Sequence, residues 1–198
     1  MKKTYAFFIL ALAFVSCGKM ESEYSKNPCY VNVDNSIHND ATLNTAINSN
    51  APGIFCQISE SANCKYFVFK NNQGLSSQSL MNASEIKQSM IFGFHNGIIV
   101  GFGNIRDLSD KYPFYAYDLQ CPNCYNDNAI PARPRPLTIT SDGLAKCSNC
   151  GNIYNMNNGG NYCGNEKDSV SGSGRMTRYY GILCPSASGI ADKRIIIQ

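Results

Sequence analysis

The sequence predicts an all-β domain, built as an antiparallel β-sandwich or small barrel. Apolar or alternating runs of four to eight residues recur along the whole chain, the length and pattern of strands rather than helices. The segments between them, "APG", "NNQG", "SDG", "NNGG" and "SASG", are turn chemistry: glycine supplies positive φ, and asparagine, aspartate and serine bond their own backbone. Composition agrees. Twelve tyrosines, ten phenylalanines and sixteen glycines stand beside no tryptophan, a mixture suited to short strands and many turns.

In chain order the runs are "CYVNV" (29–33), "GIFCQIS" (53–59), "KYFVF" (65–69), "GIIVGFG" (97–103), "PFYAYDL" (113–119), "PLTIT" (136–140), "NIYNM" (152–156), "RYYGILC" (178–184) and "RIIIQ" (194–198). One stretch, "NASEIKQSM" (82–90), reads as a short helix. Asn82 or Ser84 can cap it, and Glu85 falls near its positive end. Residues 27–198 contain no internal repeat and no long linker.

The chain opens with Lys2 and Lys3, followed by an apolar run from Tyr5 to Val15. That run is shorter than the roughly 20 residues needed to span a bilayer, so residues 1–16 read as a signal peptide. Phe14, Val15, Ser16 and Cys17 resemble the lipobox of bacterial lipoproteins. The resemblance implies cleavage before Cys17 and acyl chains (palmitate-type lipid) on its thiol and new N-terminus. Each buried CH₂ is worth ~0.8 kcal/mol, so several chains anchor a domain firmly. Gly18 in the second mature position points, by the same resemblance, to the outer membrane. Residues 17–26 then read as lipidated Cys17 and a polar, flexible tether, and 27–198 as the domain. Beyond residue 16 there are 15 basic residues (17 less Lys2 and Lys3) against 14 acidic ones, a balance that gives no reason to expect nucleic acid as partner. About 180 residues are enough to bury a core.

Ten cysteines carry the chemistry. Cys121-Pro-Asn-Cys124 and Cys147-Ser-Asn-Cys150 are two C-x-x-C units with 22 residues between them. Four thiolates on two tight turns can form a tetrahedral cage for zinc or iron. Gly151, directly after the second unit, lets backbone N–H groups approach the sulfurs. In an oxidising compartment the alternatives are disulfides or redox-active C-x-x-C pairs. Cys56 and Cys64 could bridge a hairpin, and Cys163 could bridge to Cys184. Cys29 is then left over, behaving as a small apolar residue.

Taken together, "FYAYDLQCP" and "LTITSDGLAKCSNCGNIYNMNNGG" resemble the cluster-binding subdomain of Rieske iron–sulfur proteins, with the specific likeness confined to 114–160. The tail "RYYGILCPSASGIADKRIIIQ" resembles the closing hairpin of that fold, and the upstream strands resemble those of Rieske-like lipoproteins of Bacteroidetes-type bacteria. The resemblance implies a Rieske-like fold with the two knuckles at one tip. One departure matters: a Rieske [2Fe–2S] centre uses two cysteines and two histidines, whereas both knuckles here carry cysteine only, and His38 and His95 lie outside them. The expected ligand set is therefore Cys121, Cys124, Cys147 and Cys150, holding a structural zinc in a non-catalytic envelope protein, with iron or an all-cysteine 2Fe–2S cluster serving electron transfer to a redox partner as the alternative. Thiol–disulfide exchange is a third reading.

No nucleophile–histidine pattern, phosphate loop or paired-carboxylate motif is present. Asp107, Asp110, Asp118 and Asp142 read as turn or solvated residues, His95 as a turn residue, the tyrosines of "KYPFYAYD" as strand-face and core residues, and "ARPRP" (132–136) as an ordered surface loop.

Overall fold

The computed structural model describes residues 23–125, 131, 133–167, 174–185 and 193–198. The chain is mostly β. Among the described residues, thirteen strands pair antiparallel in three open sheets, and no sheet closes into a barrel. No described helix is long and apolar enough to cross a membrane. Residues 1–22, with the expected signal peptide and Cys17, lie outside the described residues.

A three-stranded sheet joins the first strand to the last. Its order is β1 (Val31–Asp34), β13 (Arg194–Ile197), β12 (Gly181–Cys184). Val31 lies opposite Ile197 and Val33 opposite Ile195, and all four are fully buried. This is the one-faced alternation that a half-covered antiparallel sheet requires.

The central sheet has six strands, in the order β11 (Arg178–Tyr179), β6 (Phe114–Asp118), β5 (Ile98–Phe102), β2 (Phe55–Glu60), β3 (Tyr66–Asn71), β4 (Ser76–Leu80). It is covered on both faces, which explains why β5 is apolar at every position and buried throughout. Ile98 and Val100 face one core with Val31, Val33, Leu43, Phe67 and Phe69. Ile99, Phe55 and Tyr117 face a second core on the other side. There a four-stranded sheet covers them, in the order β10 (Asn161–Asn165), β9 (Asn152–Asn155), β8 (Leu144–Lys146), β7 (Thr138–Ile139).

Three short helices close the first core. Asp34 caps α1 (Asn35–His38), accepting from the N–H of Ser36, and Asp40 caps α2 (Ala41–Ala46), accepting from that of Leu43. Asn82 caps α3 (Ala83–Lys87) in a reciprocal capping box with Glu85. The sequence reading of 82–90 therefore has its cap and acid in the expected roles, but the helix ends at Lys87.

Four findings differ from expectation. The run 178–184 is two strands: the chain leaves the central sheet at Tyr180 and enters the three-stranded one. Strand β4 carries no apolar alternation because it is an edge with one face in solvent. Asp118 is fully buried instead of solvated. Its carboxylate accepts from the N–H of Phe94 (2.8 Å) and Gln120 (2.6 Å) and from the Tyr179 hydroxyl (2.7 Å), and burial outweighs these donors to push its pKa up. Finally, the stretch expected to be a free tether is docked from Glu23 onward. Glu23 pairs with Arg178, whose guanidinium lies over the rings of Tyr115 (4.7 Å) and Tyr24 (5.5 Å), and the N–H of Ser25 donates to Arg178 O at 2.7 Å.

Candidate metal centre

The first knuckle begins where β6 runs out. Its backbone is held from both sides: Cys121 N–H donates to Arg135 O (2.8 Å), while the N–H groups of Cys124 and Tyr125 turn back onto Cys121 O (3.2 and 2.9 Å). The second knuckle is the tight connection between β8 and β9. Cys147 N–H donates to Asn152 O, and Gly151 N–H to Cys147 O, both at 2.9 Å. Gly151 has φ +79, and a Cβ there would stand 2.8 Å from Asn165 Oδ1 and from Lys167 Cγ. Only glycine fits that turn without displacing the strand end packed against it.

The two turns bring together the Sγ atoms of Cys121, Cys124, Cys147 and Cys150, all within 4.8 Å of one another. Two separations between the loops are 3.8 Å each, Cys121 to Cys150 and Cys124 to Cys147. A tetrahedron with metal–sulfur arms of about 2.3 Å has edges of about 3.8 Å. Cys121 and Cys147 are buried in the second core, and Cys124 and Cys150 are half-buried toward the surface.

The electrostatics separate the sulfurs. Burial pushes the Cys121 thiol well up, against one backbone N–H from Asn123 and with the neighbouring thiols adding to the rise. Burial also raises Cys124, opposed by the side-chain amide of Asn149. At Cys150 burial again acts upward, but donors from Asn152 N–H, Cys124, the Asn123 side chain and Cys147 win and bring it down to about 7. One sulfur is thus already close to thiolate at neutral pH, and a cation would supply the charge that ionises the others.

A polar shell holds the loops. The Asn149 amide donates to Cys124 Sγ at 3.2 Å. Tyr154 is fully buried with its hydroxyl 3.9 Å from Cys121 Sγ, a contact in which either atom can donate, and Asn152 Nδ2 donates to that hydroxyl at 3.2 Å. Lys167, beyond β10, donates from Nζ to Ser148 O (2.7 Å) and Asn149 O (2.8 Å), and Asn165, at the end of β10, from Nδ2 to Cys150 O (3.0 Å). The sequence reading did not single out these residues. Asn165 ends, and Lys167 follows, a strand with no apolar signal. Asn123 and Asn149 had one readable sign, the same residue in the same place of both knuckles.

The other expected residues fall elsewhere. All nine described cysteines are free thiols, and the two expected bridges do not form. Cys56 is buried at the start of β2 and Cys64 lies exposed beyond its far end. Four residues of extended strand separate Glu60 from Cys56, about 13 Å, well past disulfide reach. Cys163 is on β10 and Cys184 on β12, in different sheets, each thiol directed at a carbonyl across its own sheet, Ile153 O and Arg194 O. Cys29 is buried and its thiol is pushed up to about 12 by that burial. His38 is not near the knuckles: it sits between Ser79 (2.7 Å) and Glu85 (2.8 Å). His95 is an exposed turn residue.

Comparison with protein-family models, with curated proteins and with solved structures finds no match. The class is therefore set by the fold and the site: an antiparallel, mostly β chain with four cysteines gathered as a candidate metal centre.

Proposed function

We propose that this protein is a non-catalytic, Rieske-like lipoprotein of the cell envelope, held at the outer membrane by lipid on Cys17, whose four knuckle cysteines bind one structural zinc ion. The observation that carries the metal reading is the sulfur geometry: four Sγ within 4.8 Å, with two of the four inter-loop edges at 3.8 Å. Soft thiolates select zinc or iron over hard cations. The closeness of all four sulfurs suits a single ion better than a two-iron cluster, which divides its cysteines between two centres. A four-sulfur site has no open position for water or substrate, so its work is to pin the 121–124 and 147–150 loops together. The Rieske-like reading is supported by the order strand, turn, strand, knuckle, strand from β7 to β9 and by the pairing of the first strand with the last. The lipid reading rests on Phe14–Cys17.

A second reading, one-electron transfer by iron in the same cage, is favoured by the surface position of Cys124 and Cys150 and by the N–H donors on sulfur, which set iron potentials. Metal analysis and a visible spectrum of the purified protein, beside a Cys147→Ser/Cys150→Ser variant, decide between them. Stoichiometric zinc without colour, lost in the variant, supports the first. A visible iron–thiolate band supports the second. No metal in the parent protein refutes both. Mass spectrometry of the N-terminal peptide tests the lipid separately.

A further inference from the structure

The two knuckles share more than cysteine spacing. Each has asparagine in its third place, Cys121-Pro-Asn123-Cys124 and Cys147-Ser-Asn149-Cys150. The second knuckle's side chain reaches across to the first. The amide of Asn149, on the second knuckle, donates to Cys124 Sγ on the first at 3.2 Å. Asn123 stands in the matching place on the first, and its side chain is among the groups that lower Cys150. The Asn149 bond crosses from one loop to the last cysteine of the other. Cys124 and Cys150, the two sulfurs concerned, are the half-exposed ones, whereas Cys121 and Cys147 are buried by the protein.

We propose that Asn123 and Asn149 are reciprocal positioning residues of the metal centre, which hold the two outer thiolates in place and keep them inert while a tetrahedral metal ion is bound. The inference rests on the four-cysteine metal reading and deepens it. Four thiolates around a divalent ion leave two net negative charges, and electron density stays on sulfur. A sulfur exposed to solvent with that density is a nucleophile. An N–H donor draws part of the density away and fixes the lone-pair direction, as hydrogen bonds from neighbouring groups do for metal ligands generally. Where the protein interior already shields Cys121 and Cys147, no side-chain amide is needed. Asn149 supplies one to Cys124, and Asn123 holds the matching place for Cys150, the two sulfurs that water and electrophiles can reach.

The test uses the full chain loaded with Co²⁺, which reports tetrahedral thiolate ligation by its visible bands, and compares it with Asn123→Leu, Asn149→Leu and the double variant. Expected are unchanged 1:1 cobalt binding, roughly tenfold faster release to a chelator for each single variant, faster alkylation of the loaded protein by iodoacetamide, and a shifted sulfur-to-cobalt band. Peptide mapping should place the new alkylation on Cys150 in Asn123→Leu and on Cys124 in Asn149→Leu, a crossed pattern that simple loosening of a loop does not produce. The metal-free melting temperature should not move. Ser148→Ala, on the same loop, should match the parent. Equal alkylation and release in parent and variants overturn the proposal while leaving the metal site standing. Alkylation of the cysteine on the mutated loop itself also overturns it. Failure of the parent to bind cobalt overturns the metal reading and this inference together.

Discussion

The two cores on either side of the central sheet are built on different terms. The first is filled mainly by apolar side chains: Val31, Val33, Leu43, Phe67, Phe69, Ile195 and Ile197 are fully buried, and capped helices seal its edge. Burying each large side chain is worth about 1.5–3 kcal/mol. The second is smaller and covered by a sheet whose strands β7 and β8 are two and three residues long. Cys121 and Cys147 are part of its apolar lining, and its outer end is the pair of knuckles. Such short strands bury too little to fix two loops against chain entropy. The difference teaches where a metal would matter: it would tie together the region that packing alone leaves underdetermined.

The largest break in this comparison should come from the ligands. Cys147→Ser with Cys150→Ser removes metal binding and the stabilisation that a bound ion lends the folded state. Amide exchange is the measure. Protection should collapse in β7, β8 and β9 and persist in β2, β3 and β5. Uniform loss across both regions would show that the two cores are one cooperative unit.

The converse substitution lies in the first core. Phe67 packs edge-on against His38 (5.2 Å) and Phe92 (6.4 Å), and beside Phe69 (6.0 Å). Phe67→Ala should cost about 3–5 kcal/mol in denaturant unfolding. Metal stoichiometry of the fraction still folded should be unchanged, because no knuckle residue belongs to that cluster.

Acid should sharpen the contrast. Metal binding requires deprotonated sulfur, and burial raises the Cys121 and Cys124 thiols. Below those raised values the metal-free site holds protons that a metal must displace. Affinity therefore rises with pH while these thiols remain protonated, by up to about tenfold per unit for each proton released. Cys150, brought down to about 7, adds its own proton only below that pH. Calorimetry in two buffers of different ionisation enthalpy counts the protons, and a count that does not change across pH 7 would contradict the assignment. Asp118 works in the opposite sense on the fold itself. Its folded pKa is raised, so its contribution is full below the unfolded carboxylate value and is lost as pH rises through the folded one.

Much of this was legible in the sequence, and the parts that were not share a cause. The buried strands announced themselves because β5 and the Val31–Val33 and Ile195–Ile197 faces must be apolar to sit in a core. The four cysteines announced themselves by spacing. Strand β4, "SSQSL", and strand β10, "NYCGN", were missed because edge strands need backbone partners more than apolar faces, and β10 carries a bulge between Tyr162 and Gly164. Helices α1 and α2 were missed because four and six residues show no 3.6-residue period; only the capping aspartates Asp34 and Asp40 mark them. The break at Tyr180 was hidden because both halves of "RYYGILC" read as strand, and only the pairing partners differ.

The smallest effect tests the seal of the first core rather than its filling. Asn82 accepts from the N–H groups of Ser84 and Glu85, and Glu85 Oε2 accepts from Asn82 N–H at 2.8 Å. The other oxygen of Glu85 receives His38 Nε2 at 2.8 Å, with both side chains almost wholly buried. The capping box therefore also orients the carboxylate that holds α1 to α3. Asn82→Ala removes the cap and should cost about 1 kcal/mol. If it also frees Glu85 to turn away from His38, the cost should exceed that of a cap alone, and a double-mutant cycle with His38→Ala measures the excess. Coupling near zero would mean that the buried pair is placed by the packing of Phe67 against His38, and that the first core governs its own edge without help from the cap.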